Sequence, residues 1–138
     1  MPRYLLDTNI LSDFIKNPEG PVASRFDALK SDEQVCTSIV VAAELRYGAM
    51  KKKSRALTAR IEELLETIDL LALAPDADWH YATLRTELEA RGTPISANDM
   101  LIAANAIAAD CILVTDNERE FSRVRGLKVQ NWLRLSSR

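Results

Sequence analysis

Short apolar runs alternate with longer amphipathic stretches along this chain of 138 residues. Apolar runs bounded by turn-forming residues are typical of buried strands, whereas apolar residues three or four positions apart indicate helices. The predicted strands cover residues 4–6, 34–37, 69–73, 111–114 and 128–130, the last at a sheet edge. The predicted helices cover about residues 9–16, 21–30, 39–51, 54–67, 75–91, 97–109 and 118–124. This alternation predicts the α/β class, as a three-layer α/β/α sandwich with a mostly parallel central sheet.

The pattern shows no repeat, linker or low-complexity segment, so we expect a single domain over residues 1–138. No apolar run approaches the roughly 18 residues that a membrane span requires. The N-terminal apolar stretch reaches an acidic residue at Asp7, which makes it too short for a secretory signal. We therefore expect a cytoplasmic protein.

Two acidic residues stand where predicted strands end. Asp7 directly follows the first strand, and Asp116 follows the fourth strand and Thr115. In open parallel sheets, binding sites lie beyond the carboxyl ends of the strands. If these two strands are neighbours, both carboxylates occupy one crevice.

Asp99 opens a helix from another direction. Ser96 and Asp99 have the spacing of a capping box, so helix capping alone would explain the acid. The helix that follows is apolar on nearly all sides, which indicates that its N-terminus points inward.

Glu44 lies on an apolar helical face. Its neighbours at helical spacing cannot pair with its charge; they are Val40, Val41, Tyr47 and Gly48. Such a glutamate is costly to bury unless a cation or hydrogen bonds meet it. The alternative is an exposed glutamate on a helix that faces the other way.

These four carboxylates predict a divalent metal site. Two like charges at ~4 Å repel by about 4 kcal/mol at an effective dielectric near 20, so such a cluster protonates or binds a cation. Oxygen ligands favour Mg²⁺ or Mn²⁺, and a metal-bound water suits phosphodiester hydrolysis.

Other chemistries lack their residues. The single histidine, His80, cannot build a zinc site, and four glycines in all leave no Gly-rich phosphate loop. Cys36 and Cys111 have no metal or redox spacing and are interpreted as reduced core residues. The net charge of −2 argues against a protein that coats nucleic acid, but it allows a nuclease with local basic patches.

Four segments resemble the motifs of PIN-domain nucleases, in the same order along the chain. They are YLLDTN from Tyr4, ELRYGA from Glu44, ISANDMLIAA from Ile95 and LVTDN from Leu113. The end of the chain, with Glu120-Phe121 and Val129 to Trp132, is similar to the VapC toxins of bacterial toxin–antitoxin pairs. The resemblance extends over essentially the whole chain.

This resemblance implies a Mg²⁺-dependent endoribonuclease toxin, inhibited by a VapB-type antitoxin protein, that forms a homodimer and a larger hetero-oligomer with its antitoxin. Asp7, Glu44, Asp99 and Asp116 match the acids that hold metal and activate water, the fourth position being the most variable. The polar residues beside the acids are expected to orient these ligands by hydrogen bonding; they are Thr8, Asn9, Thr115 and Asn117. By resemblance alone, the best substrate is the anticodon region of initiator tRNA.

Basic residues outside the pocket are the candidates for RNA contact, although each could be a solvated surface charge. They are Lys51, Lys52, Lys53, Arg55, Arg119, Arg123 and Arg125. Apolar helical faces could receive an antitoxin segment or could simply be core. Their residues are Ile10, Leu11, Phe14, Leu57 and Ile61.

Two alternatives stay open. The first is a PIN-like binding or regulatory module that no longer cuts RNA. The second is a metal-dependent phosphatase-like enzyme, which also places an aspartate after its first strand. Such enzymes typically carry a second carboxylate two residues on, and here that position is Asn9.

Overall fold

The computed structural model describes residues 2–134, in which five strands alternate with seven helices. The strands are β1 (Arg3–Leu6), β2 (Gln34–Ser38), β3 (Asp69–Leu71), β4 (Ile112–Val114) and β5 (Lys128–Gln130). The helices are α1 (Thr8–Lys16), α2 (Pro21–Asp27), α3 (Ile39–Lys52), α4 (Arg55–Thr67), α5 (Ala77–Ala90), α6 (Ala97–Ala108) and α7 (Glu118–Phe121). The domain predicted over residues 1–138 includes positions 1 and 135–138, which lie outside the described residues.

The strands form one sheet in the order β3-β2-β1-β4-β5, and every pair of neighbours is parallel. Right-handed crossovers place α1 to α4 on one face and α5 and α6 on the other. Consistent with this, α1 packs on α2 and α3, α3 packs on α4, and α5 packs on α6. The predicted α/β sandwich is confirmed, and β1 and β4 are neighbours.

Several helices are shorter than the sequence pattern predicts. The helix predicted from residue 75 begins at Ala77, because Asp76 has a left-handed backbone with φ 74°. The helix predicted to reach residue 30 ends at Asp27, and the chain turns there through a hydrogen bond from Leu29 N–H to the Phe26 carbonyl oxygen. These differences leave the predicted parallel sheet unchanged.

A buried amide on α6 fixes the start of α3. Asn105 is fully buried, and its Nδ2 donates to Ser38 Oγ at 3.1 Å while its Oδ1 accepts from Ala74 N–H at 3.0 Å. Ser38 Oγ in turn accepts from Val40 N–H at 3.0 Å and so caps α3. Each polar group of this network has a hydrogen-bond partner. The network therefore links α3, the helix that carries Glu44, to α6 on the other face of the sheet.

Both cysteines are free and buried, as the sequence predicts. Their Sγ atoms, from Cys36 in β2 and Cys111 just before β4, lie 3.8 Å apart. Within residues 2–134, no helix combines the length and the apolar character that crossing a bilayer requires.

Candidate active site

Asp7 is the most enclosed of the predicted site acids. Its backbone N–H donates to the Val114 carbonyl oxygen at 2.9 Å, which ties it to the neighbouring strand. Its side-chain Oδ2 accepts from Thr115 Oγ1 at 2.7 Å, and its Oδ1 accepts from Thr8 N–H at 2.8 Å. Burial raises the pKa of Asp7, and the charge of Glu44 raises it further against the opposing effect of these hydrogen bonds. This carboxyl therefore lies where a negative charge is poorly solvated.

Glu44 reaches the same place from the middle of α3. Its Oε1 accepts from the Thr8 hydroxyl, and its Oε2 accepts from Asn98 Nδ2 at 3.1 Å. Thr8 thus joins Asp7 and Glu44, through its backbone N–H on one side and its hydroxyl on the other. The hydrogen bonds that a glutamate on an apolar face requires come from α1 and from the start of α6.

Asp99 lies in the first turn of α6, where its N–H donates to Ser96 Oγ at 3.2 Å. Burial raises the pKa of Asp99 to about 6, and the negative charges of Asp7, Glu44 and Glu120 contribute to this rise. Capping of the helix therefore does not account for the whole environment of Asp99, because three other acids are close enough to act on its charge.

Asp116 occupies the rim of the site rather than its interior. Its backbone N–H donates to Asn9 Oδ1 at 3.1 Å, and its exposed carboxylate accepts from Asn131 Nδ2 at 3.0 Å. Arg134 Nε lies 3.5 Å from the same carboxylate oxygen. Its charge is not among those that shift the pKa of Asp7. The structure thus brings Asp7, Glu44 and Asp99 together and leaves Asp116 beside them.

Glu120 is an acid of the site that the sequence analysis did not select. It lies in α7, four residues after Asp116, and its Oε1 accepts from Asn117 Nδ2 at 2.7 Å. It is half-buried, and its charge acts on Asp99. The available signal was its place in the first turn of a short helix that begins just beyond a strand end.

The four polar residues expected to orient the acids all lie among them. Thr8 and Thr115 donate to the carboxylates of Glu44 and Asp7, whereas Asn9 accepts from the backbone of Asp116. Asn117 donates its N–H to Thr115 Oγ1 at 3.0 Å. Their placement is compatible with an orienting role, which stays a prediction.

The donor set of the site suits a hard divalent cation. Among residues 2–134, none of Asp7, Glu44 and Asp99 forms an ion pair with a basic side chain. Over the same residues, no group of three or more acidic, histidine or cysteine side chains is arranged so that it could hold a metal ion by itself. Mg²⁺ keeps several of its waters and needs only one or two direct carboxylates, so neighbouring acids without a cage fit it better than they fit zinc.

A groove opens beside Glu44, between α1, α3 and α4, with a volume of about 170 Å³. Apolar residues and two exposed lysines line it together with Glu44; they include Ile15, Leu45, Leu57, Ile61, Lys16 and Lys52. Gly48 also lines the groove, and a Cβ at this position would meet no atom within 4 Å. Ile10 and Leu11, which sequence analysis left open as partner-binding or core, are fully buried core residues.

The basic residues predicted for RNA contact fall into two groups around the site. Lys51 and Lys52 end α3, Lys53 follows them, and Arg55 begins α4, and all of them are exposed. On the other side, Arg119 is exposed on α7, whereas Arg123 is half-buried and donates to the Pro94 carbonyl oxygen at 3.4 Å. A contact of either group with RNA stays a prediction.

Known proteins are similar to this chain in both sequence and fold. Residues 4–127 match the family described as PIN domain. The tRNA(fMet)-specific endonuclease VapC of Shigella flexneri is 39% identical over 134 residues, which cover 96% of this chain and 99% of the relative. Ribonuclease VapC2 of Rickettsia felis is 35% identical over 130 residues, 94% of this chain and 97% of the relative. VapBC2 of Rickettsia felis, solved with a DNA fragment from its promoter, superposes with a TM-score of 0.88 at 34% identity, over 94% of this chain and 98% of that chain.

Proposed function

The chain belongs to the PIN-domain family, and from this membership we propose that it is a metal-dependent endoribonuclease toxin of the VapC kind. The observation that carries the proposal is the convergence of Asp7, Glu44 and Asp99 beyond the carboxyl ends of parallel strands. Their charges act on one another, and burial raises the pKa of both aspartates. A surface cluster of acids would be solvated and would not need a cation, whereas this one is relieved by a bound cation or a bound proton.

The proposed division of labour follows from the contacts. Asp7, Glu44 and Asp99 hold Mg²⁺ or Mn²⁺, while Asp116 and Glu120 stand at its margin. Thr8 and Thr115 keep the inner carboxylates oriented by hydrogen bonding. The bound cation would polarise the scissile phosphate and lower the pKa of an attacking water. The half-exposed side of the site admits the RNA strand.

Calorimetric melting tests the metal. Mg²⁺ or Mn²⁺ at 100 times its dissociation constant stabilises a protein by about 2.7 kcal/mol through mass action. We therefore expect millimolar Mg²⁺ or Mn²⁺ to raise the melting temperature of the wild type and to leave that of Asp7→Asn nearly unchanged. Equal shifts in the two proteins would place the cation elsewhere.

We propose tRNA as the substrate, by analogy with relatives named tRNA(fMet)-specific endonucleases. Brief induction of the chain followed by sequencing of RNA 5′ ends identifies the cleavage site. New ends in the anticodon region of initiator tRNA would support this substrate, and new ends in other RNAs would identify a different one.

Growth arrest on expression, relieved by Asp99→Asn, distinguishes the nuclease from a silent binding module. Cleavage of a generic phosphate monoester in place of RNA would favour the phosphatase-like alternative.

We propose a VapB-type antitoxin as the partner, since several structural neighbours are VapBC complexes. The groove beside Glu44 is the proposed seat of an antitoxin segment. Its apolar lining suits such a segment. Gly48 lowers the stability of α3 by roughly 0.5–1 kcal/mol relative to alanine, although no contact inside the chain requires a glycine there. A glycine of this kind is explained when a partner approaches closely.

Substitutions at Gly48 test this seat. Gly48→Leu fills the groove and should abolish neutralisation by the co-expressed antitoxin, and Gly48→Ala, which adds only a Cβ where the partner approaches, should weaken it to a smaller extent. RNA cleavage by each purified variant serves as the control. If both variants are neutralised like the wild type, the antitoxin binds elsewhere.

A further inference from the structure

The last described segment of the chain, residues 130–134, runs along the rim of the acidic site. In this segment, both polar atoms of the Asn131 side chain form hydrogen bonds. Its Oδ1 accepts from Leu133 N–H at 2.9 Å, and its Nδ2 donates to Asp116 Oδ1 at 3.0 Å and to Glu118 Oε2 at 3.1 Å. Because Oδ1 is held by the backbone, Nδ2 must face the two carboxylates, so the orientation of the amide follows from its contacts.

The segment is fixed in place by contacts that do not involve the acids. Trp132 is buried and meets the ring of Tyr4 edge-on, with ring centroids 5.3 Å apart. The guanidinium of Arg25 lies 4.9 Å from the centroid of the Trp132 ring, and the indole Nε1 donates to Gln130 Oε1 at 3.1 Å. Aromatic and cation–π contacts of this kind anchor the backbone around Asn131 to β1 and α2. The amide is therefore preorganised rather than placed by Asp116.

We infer that Asn131 is a positioning residue that sets how Asp116 meets the divalent cation of the proposed nuclease site, an inference that rests on the proposed function. Asn131 and Arg134 engage the same oxygen of Asp116, Oδ1. Among the residues described, the other oxygen of this carboxylate has no hydrogen-bond partner, so it is the one available to a cation or to its water. Hydrogen-bond partners of metal ligands typically change metal affinity by about 10–100-fold when they are removed.

A double-mutant cycle tests the inference with Mn²⁺ alone, titrated by calorimetry in the absence of RNA. Asn131→Ala should weaken Mn²⁺ binding about tenfold, and Asp116→Asn should weaken it to a similar extent. The double variant should bind no more weakly than Asp116→Asn, because Asn131 acts through Asp116. Asn17→Ala is the matched control, since Asn17 Nδ2 donates to Asp13 Oδ1 at 2.7 Å, at the end of α1. It should leave Mn²⁺ affinity unchanged.

The outcomes separate a positioning role from a structural one. Unchanged Mn²⁺ affinity in Asn131→Ala would overturn the inference, and so would a tenfold loss that persists in the Asp116→Asn background. A melting temperature in EDTA that falls further for Asn131→Ala than for Asn17→Ala, with no coupling to Asp116, would mark Asn131 as structural. Coupled Mn²⁺ binding in a protein that cleaves no RNA would overturn the proposed function and support the positioning role. A wild type that binds no Mn²⁺ would overturn the inference itself.

Discussion

The inner acid of the site, Asp7, and its outer acid, Asp116, lie in different surroundings although the same topological rule predicts the position of both. Asp7 and Asp116 both follow parallel strands, yet Asp7 is 4% exposed and Asp116 is exposed. Asp7 ends β1, which has a strand on each side, and the neighbouring Thr115 covers its carboxylate. Asp116 comes two residues after β4, which also lies between two strands, although its outer neighbour is the short edge strand β5. The distance of an acid from its strand end, together with the closeness of that strand to the sheet edge, therefore decides how strongly the acid is desolvated.

The sharpest test of this difference is Asp7→Asn. Asparagine keeps an amide oxygen that can accept from Thr8 or Thr115, but it loses the charge that holds the cation. We expect RNA cleavage to fall about a thousandfold, as for other electrostatic catalytic groups. The metal-free protein should be equally stable or more stable, since like-charge repulsion is removed. Cleavage assays and urea melts in EDTA measure the two effects.

The exposed Asp32 provides the control for this variant. Asp32→Asn should cleave RNA at the wild-type rate. If Asp7→Asn fails to fold while Asp32→Asn folds, Asp7 is a structural residue, and this result would contradict a catalytic role for Asp7.

The same contrast between a half-buried and an exposed acid occurs within α7, at two glutamates. Glu120 is half-buried and acts on the charge of Asp99, whereas Glu118 is exposed and bonds to Asn131. We expect Glu120→Gln to lower cleavage by about thirtyfold and Glu118→Gln by less than about threefold. Measurement of kcat and KM for the two variants tests this difference. Equal losses would show that α7 acts as a unit and that burial does not rank its acids.

Sequence patterns could predict those features of the site that are local in the chain. Strand ends predict Asp7 and Asp116, a capping pattern predicts the turn that carries Asp99, and a missing partner for its charge points to Glu44. They place Glu120 only in the first turn of α7, because four residues are too few to reveal which face of that helix turns inward. They could not predict Asn131, since its contact with Asp116 depends on where Trp132 anchors the segment. Both omissions arise from packing between segments that are distant or weakly patterned.

Asp116→Asn tests the outer group directly, with a smaller expected effect. An exposed acid at the rim, held through one oxygen by Asn131, contributes less to the field at the cation than the buried acids do. We expect cleavage to fall about tenfold, with KM for RNA little changed. The ratio of the losses in Asp7→Asn and Asp116→Asn, measured in the same preparation and buffer, is the informative quantity. A ratio near one would abolish the distinction between inner and outer acids.

The smallest effect concerns stability and pH in the metal-free protein. The pKa of Asp99 is raised from its ordinary value of 3.8 to about 6, so the folded state binds the proton more tightly than the unfolded state between these values. Stability therefore falls as pH rises through this window, and the penalty is complete above pH 6. Asp99→Asn should flatten that fall and raise the melting temperature near pH 7.5 by roughly 3 °C in EDTA. Asp78→Asn changes the first-turn acid of α5, which is exposed, and should keep the wild-type pH dependence. If both variants flatten the profile equally, the effect belongs to helix termini, and Asp99 does not share the desolvated interior with Asp7 and Glu44.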